Sequence, residues 1–250
     1  DGTITCDITN TTTGNYYSFG GLVGRATAHV TITSSTCAGK IDITPKSIPK
    51  TKLNFGGLVG LAEVGVTISD CSNSMDIKYS ANSPSKSNGY PSHMGGIVGY
   101  MEEGEAGEND TNSQVNLCYN CGEVGPAKSA THGGIIGHCD YYVSIRYCIN
   151  YGHTFEDGES MIGTVVSGGI IHNKKLYHLK GTGDDDGHSW SSTSFEESAM
   201  DSLSTFEGYS DTDWVVGKQL NMKDGEKGKD ESTKSRVILK DCVFQNIIYK

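Results

Sequence analysis

The residues of this chain that could do chemistry are few and scattered. The densest oxygen cluster is Asp184-Asp185-Asp186-Gly187-His188. Hard cations such as Ca2+ need several oxygens from an acidic loop, so these three aspartates are where a structural calcium ion would bind. The run lacks the alternating ligands and closing Glu of an EF-hand, and it reads first as a solvated loop. No other cofactor is expected. Asp42, Asp76, Glu123 and His153 follow similar strand-like blocks. If those strands stack, their acids lie about 4.8 Å apart, near the separation used by paired carboxylates in glycoside hydrolysis. The bland reading, an acidic exposed face, outweighs it. The eight His form no H-x-x-x-H or H-E-x-x-H, no G-x-S-x-G occurs, and Cys118 and Cys121 make a lone C-x-x-C. The sequence thus assigns no catalytic residue, and an enzyme is not expected.

One further group points to contact rather than catalysis. Tyr119, Ile149 and Val243 each follow a Cys, and Cys121 and Tyr151 stand three residues after one. On a strand these positions face away from the Cys, so Tyr119, Ile149, Tyr151 and Cys121 form a candidate binding patch. Cover by residues 172–236 is the competing reading.

Composition sets the background. Twenty basic against thirty acidic residues give −10, which disfavours nucleic-acid phosphates and anionic membrane surfaces as partners. No stretch approaches the ~20 consecutive apolar residues of a membrane span. Asp1 opens on strand-like sequence with no signal peptide, so a mature or trimmed piece of a longer precursor is expected. The 33 glycines among 250 residues are nearly twice the usual share of about 7%.

Those glycines are ordered. Gly20-Gly21-Leu22-Val23-Gly24 recurs as Gly56-Gly57-Leu58-Val59-Gly60, Gly95-Gly96-Ile97-Val98-Gly99 and Gly133-Gly134-Ile135-Ile136-Gly137. Gly168-Gly169-Ile170-Ile171-His172 reads as a fifth copy that has lost its last glycine. Starts lie 36, 39, 38 and 35 residues apart. A second block follows each motif, beginning at Cys37, Cys71, Cys118 and Cys148, with Val237 to Cys242 as a last copy. Val30-Thr-Ile32, Val66-Thr-Ile68, Val115-Asn-Leu117 and Val143-Ser-Ile145 lie upstream. Alternation with period two makes these strands.

A repeat of short strands cannot bury its own apolar face, so repeats must stack with equivalent strands parallel. The expected fold is all-β: a right-handed parallel β-helix with one coil per 35–39 residues. Stacking turns Cys37, Cys71, Cys118, Cys148 and Cys242 into one inward column, and Asn73, Asn120 and Asn150 into another. Both are structural, with the amides bonding one another along the stack. Stacked Cβ atoms near 4.8 Å apart exceed the usual disulfide separation, so the ladder cysteines should be free thiols. Cys6, Cys121 and Cys139 are the better bonding candidates.

The G-G-[LI]-[VI]-G motif and the C-x-N-x-G-like block after it closely resemble the Glug-motif family of bacterial surface and secreted repeat proteins, some carried beside immunoglobulin A peptidase domains. The resemblance covers about residues 15–175 and a strand near 237–246. It implies an extracellular or cell-surface β-helix, often adhesin-like, and supplies no catalytic residues.

After the fifth motif the rhythm breaks. Residues 1–175 form the repeats, 176–236 an insertion or cap with a helix from Ser194 to Phe206 headed by Glu196 and Glu197, and 237–250 a closing strand. The expected function is a non-catalytic, adhesin-like surface module presenting a repetitive β face to a host glycan, a protein, or neighbouring domains of its own chain. A rigid stalk is the first alternative, a polysaccharide-degrading β-helix enzyme the second.

Overall fold

The computed structural model describes residues 2–6, 16–43, 52–79, 92–102, 113–125, 130–155, 158–166, 171–183, 192–219 and 234–240. Among them nineteen strands, numbered along the chain, build three parallel sheets and one antiparallel pair. The four-stranded sheet holds β2 (Tyr16–Gly20), β6 (Lys52–Gly56), β9 (Ser92–Gly95) and β12 (Ala130–Gly133). The five-stranded sheet holds β3 (Val23–Ala26), β7 (Val59–Ala62), β10 (Val98–Met101), β13 (Ile136–Cys139) and β15 (Ile162–Val165). The eight-stranded sheet takes β1 (Gly2–Cys6), β4 (Thr31–Thr33), β5 (Thr36–Ile43), β8 (Thr67–Tyr79), β11 (Gln114–Asn120), β14 (Val143–Asn150), β16 (Ile171–Leu179) and β17 (Thr193–Phe195). Each of the four intact repeats therefore adds strands to all three sheets in the same order, as the sequence period requires.

The glycine motif is the bend between the four- and five-stranded sheets, and its glycines are demanded by neighbouring backbone. A Cβ on Gly57 would overlap the Gly96 carbonyl oxygen and the Asn73 amide. A Cβ on Gly99 would stand 2.6 Å from the Phe55 nitrogen and from the Gly60 carbonyl oxygen. Phe55, Leu58, Val59, Ile68, Ile77, Met94 and Ile97 are fully buried in the core that runs through the stack.

The asparagine column forms as expected. Asn73 Nδ2 donates to Asn120 Oδ1 at 2.8 Å, and Asn120 Nδ2 to Asn150 Oδ1 at 2.9 Å. Asn150 Nδ2 ends the row on the Ser160 carbonyl at 2.8 Å. Each amide also bridges its own chain, as when Asn120 takes the Gly122 N–H at 3.1 Å and donates to the Gly122 carbonyl at 2.9 Å. All three are fully buried and pair both ends of the amide, which removes the desolvation cost of burying them.

Several expectations are corrected in register. Cys37 lies opposite Asn73, not Cys71, and so heads the asparagine column. Cys71 and Cys118 are directly opposed, while Cys148 faces Leu176 on its other side. Val115 pairs with Ile68 and Ile145, two residues from the alignment with Val66. In each case an even shift preserves the inward face, so alternation alone could not detect it. The fifth motif is also displaced. Ile162 pairs with Ile136, and Gly133 bridges Glu159, so the working copy is Glu159-Ser160-Met161-Ile162-Gly163. Ile171 and His172 instead begin β16, opposite Val143 and Ser144, while Gly168 and Gly169 lie outside the described residues.

Before each inward cysteine the chain bends. Asp70, Leu117 and Tyr147 have φ of 55°, 50° and 52°, and Ser34 and Lys175 hold the equivalent positions at 48° and 54°. This column of non-glycine residues in left-handed conformation costs roughly 1 to 2 kcal/mol per residue.

The helix expected at 194–206 does not form. Thr193–Phe195 is a strand, followed by two 3-10 turns at Glu197–Ala199 and Leu203–Thr205, and Glu196 makes no side-chain cap. A period of three places Met200, Leu203 and Phe206 on one side, where they pack into an aromatic cluster. The closing strand is corrected too. Lys234–Leu239 (β19) pairs antiparallel with Trp214–Gln219 (β18) rather than extending a parallel ladder, and Cys242 lies outside the described residues. Instead of capping an end, this pair lies across the side of the eight-stranded sheet.

Candidate functional site

The binding patch expected on that side is covered by the chain itself. Tyr119 and Ile149 are neighbours on adjacent strands, opposite Ser72 and Tyr177 in turn. Tyr119, Ile149, Tyr151 and Tyr177 are all buried in one cluster with Met200, Phe206, Tyr209, Trp214 and residues Val237 to Leu239; Cys121 packs at its margin, half-buried. Tyr151 donates its hydroxyl to the Val237 carbonyl at 2.7 Å, and Arg236 lies over its ring at 5.3 Å while bonding Glu197 Oε1 at 2.9 Å. Burial holds the Tyr151 phenol well above its ordinary range. The four residues thus line an intramolecular joint, and nothing in the pattern around Tyr119 or Tyr151 distinguishes that joint from an exposed patch.

The acid column is rearranged by the same two-residue offset. Asp42 lies opposite Lys78 and bonds Lys40 at 2.5 Å. Asp76 lies opposite Lys40 and accepts the Glu123 N–H at 2.9 Å. Lys78 sits 3.7 Å from Asp76 and 3.5 Å from Glu123. The Asp76 carboxyl is raised, chiefly by burial. The column is therefore a charge-alternating ladder around a shared lysine, and His153 continues it on the exposed side.

Asp184, Asp185 and Asp186 lie outside the described residues, as does the side chain of Cys6. Among the described residues no group of three metal-ligating side chains converges. Cys37, Cys71, Cys118, Cys121, Cys139 and Cys148 are free thiols, so neither Cys121 nor Cys139 forms the disulfide considered for it. The ladder thiols donate to carbonyls turned inward at the bend. Cys71 bonds Ser69 at 3.0 Å, Cys118 bonds Asn116 at 3.2 Å and Cys148 bonds Arg146 at 3.2 Å. Contact with Cys118, then burial, raises Cys71, and burial raises Cys118 and Cys139. Thiols held protonated in this way are poor nucleophiles.

A cluster not anticipated from the sequence sits between the four- and five-stranded sheets. The residue two before each motif is Ser18, Asn54, His93 or Thr131, and these pair in that order across the four-stranded sheet. The residue just after each motif is Arg25, Leu61, Tyr100 or His138, paired likewise across the five-stranded sheet. His93 therefore meets Tyr100 and His138, with ring centroids 5.2 and 4.4 Å away. Tyr100 donates to Asp140 Oδ2 at 2.7 Å, and His138 Nε2 lies 3.4 Å from Asp140 Oδ1. His93 Nδ1 meets the Thr131 hydroxyl at 2.7 Å.

Burial, reinforced by His138 and Lys52 and opposed by Asp140, pushes His93 down to about 3, so it is neutral at pH 7. Burial alone would raise Asp140, but hydrogen bonds from His138 and Tyr100 leave it below the usual carboxylate range. When Nε2 carries the proton facing Asp140, His138 Nδ1 holds a lone pair, and that buried atom has no hydrogen-bond partner. Asp140 is thus held between Tyr100 and His138, with the neutral His93 ring packed against both. The signal for the cluster was present at the two positions flanking each motif, which, Leu61 apart, hold polar or aromatic residues in a setting otherwise filled with glycine and aliphatics.

Taken together these features define an all-β protein of parallel, glycine-punctuated repeats with a lateral aromatic cover. No known protein family, curated protein or solved structure matches the chain.

Proposed function

We propose that the three parallel sheets wind as one right-handed parallel β-helix, and that this coil is a non-catalytic rigid spacer in a bacterial surface or secreted protein, separating neighbouring domains of the same polypeptide. The observation that carries the reading is the covered tyrosine face. Tyr119, Ile149 and Tyr151 support the chain's own residues 200–214 and 237–239 instead of offering a surface to a host glycan or protein. Three supports accompany it. Parallel crossovers are overwhelmingly right-handed, the amide row and core tie each repeat to the next, and the motif's resemblance to Glug repeats favours display outside the cell. Each added coil lengthens such a spacer by about 4.8 Å.

Screening the intact chain against glycan arrays and host matrix proteins, with a parallel assay for polysaccharide turnover, tests the reading. Silence in all three is expected. Saturable binding to a glycan or matrix protein would make the chain an adhesin. Turnover abolished in Asp76→Asn would make it an enzyme, and either result overturns the spacer.

A further inference from the structure

The two ends of the stack are finished differently. Leu58, Ile97, Ile135 and Met161 occupy one inward position on successive coils and are between 0% and 2% exposed, whereas Leu22, at the same position on the first motif coil, is 49% exposed. The far end is closed by the chain. Thr182 accepts the Thr154 N–H at 2.5 Å, and the turn it belongs to brings Gly183 against Gly158 and Ser160, over Met161's coil. No equivalent turn covers Leu22 among the described residues.

The hydrogen bonds have a direction as well. The Leu58 carbonyl accepts the Leu22 and Val23 N–H groups at 3.0 and 2.9 Å, and the Ile97 carbonyl accepts those of Leu58 and Val59 at 3.1 and 3.0 Å. The Leu22 carbonyl is the next acceptor in that series, and among the described residues no backbone N–H donates to it. Meanwhile β1 already supplies the preceding rung of the eight-stranded sheet, pairing with β5 from Gly2 to Cys6. The other two parallel sheets stop one strand earlier, at β2 and β3.

We propose that this end is a docking surface for one further Gly-Gly-[Leu/Ile]-[Val/Ile]-Gly coil, carried by the same polypeptide and entering in parallel register. The surface is the coil-to-coil interface of the stack continued by one step: an apolar position to be covered and a carbonyl awaiting two donors. A second copy meeting this end head-on would oppose acceptor to acceptor at the bend, so the occupant must arrive in the orientation of the existing coils. The inference rests on the spacer reading and supplies its joint to the next module.

A graft tests it. Gly2, Gly39 and Met75 share one register position, so residues 52–74 repeated directly ahead of Gly2 bring an extra β6–β7 pair over β2 and β3 in register. Thermal melts of the chain and the extended chain are compared, each with and without Leu22→Glu. The extended chain is expected to melt roughly 5 °C or more higher. Leu22→Glu should be tolerated in the original chain and remove most of that gain in the extended one. A second graft, residues 92–121, guards against a poorly chosen donor coil. If both extended chains melt with the original and Leu22→Glu is harmless throughout, the docking surface is overturned while the spacer stands. Ligand binding in the earlier screen would overturn the spacer and leave this result untouched.

Discussion

The stack and its lateral cover are held together by different means. In the stack, specificity lies in the backbone: glycines allow strands to touch, amides bond from coil to coil, and the buried side chains are mostly aliphatic. In the cover it lies in large rings, with Tyr209 and Trp214 at 4.7 Å, Tyr177 and Phe206 at 5.1 Å, and Tyr119 and Tyr151 at 6.4 Å. Polar accounting differs accordingly. The asparagine row is fully paired, whereas the buried Trp214 indole N–H has no partner. A backbone-specified region tolerates almost no added atom, while a ring-specified one tolerates repacking and loses most when a ring is removed.

Four measurements break or sharpen that contrast. Gly57→Val should have the largest effect, about 4 kcal/mol or more, since the new side chain would displace both the Gly96 carbonyl and the Asn73 amide. Urea unfolding reads it, and an unchanged midpoint would mean the motif glycines are not architectural. Trp214→Ala should cost about 3 kcal/mol through lost ring packing. Hydrogen exchange should show Tyr119 and Tyr151 losing protection while Asn73 and Asn120 retain theirs. Equal loss in both would merge the two regions into one cooperative unit.

The third measurement is pH dependence. His93 sits at about 3 when folded and near 6.5 when unfolded. Below pH 6.5 the unfolded chain therefore takes up a proton that the folded chain refuses, and stability falls as pH falls. Between pH 6.5 and 5.0 this amounts to about 2 kcal/mol. Asp76 and Glu102, both raised mainly by burial, titrate with the opposite sign. The test is therefore the difference between the chain and His93→Gln, whose slope should be shallower; identical slopes would show that His93 is not the group refusing the proton. The smallest effect is expected at Ser34, exposed with φ of 48°. Ser34→Gly should raise stability by about 1 kcal/mol, read from chemical denaturation.

The period of the glycine motif made the stack legible, because a repeat that bends the backbone identically leaves the same residues at each bend. Register was legible only to within two residues. Cys37 and Asp42 keep the correct face when slid by two, and what fixes them is the bend at Ser34, which carries no sequence signature. The fifth motif was misplaced for a related reason: Gly168-Gly169 mimics the pattern, whereas the working copy, with Glu159 and Ser160 for glycines, does not. The cover was illegible because its partners come from separate stretches, Tyr119, Tyr177, Met200 and Trp214 among them, and share no period. The histidine cluster was legible in part. His93, Tyr100 and His138 each flank a motif, but only the pairing of the two sheets brings His93 against His138.

The amide row has a consequence for how the chain reaches this state. Apolar alternation accepts a coil that arrives two residues out of phase, since every inward side chain stays inward. The asparagines do not: such a slip would take from Asn120 both its donor on Asn73 and its acceptor on Asn150, leaving only its bonds to Gly122. The row thus works as a proofreading device during assembly, rejecting the very error that the hydrophobic pattern would let pass.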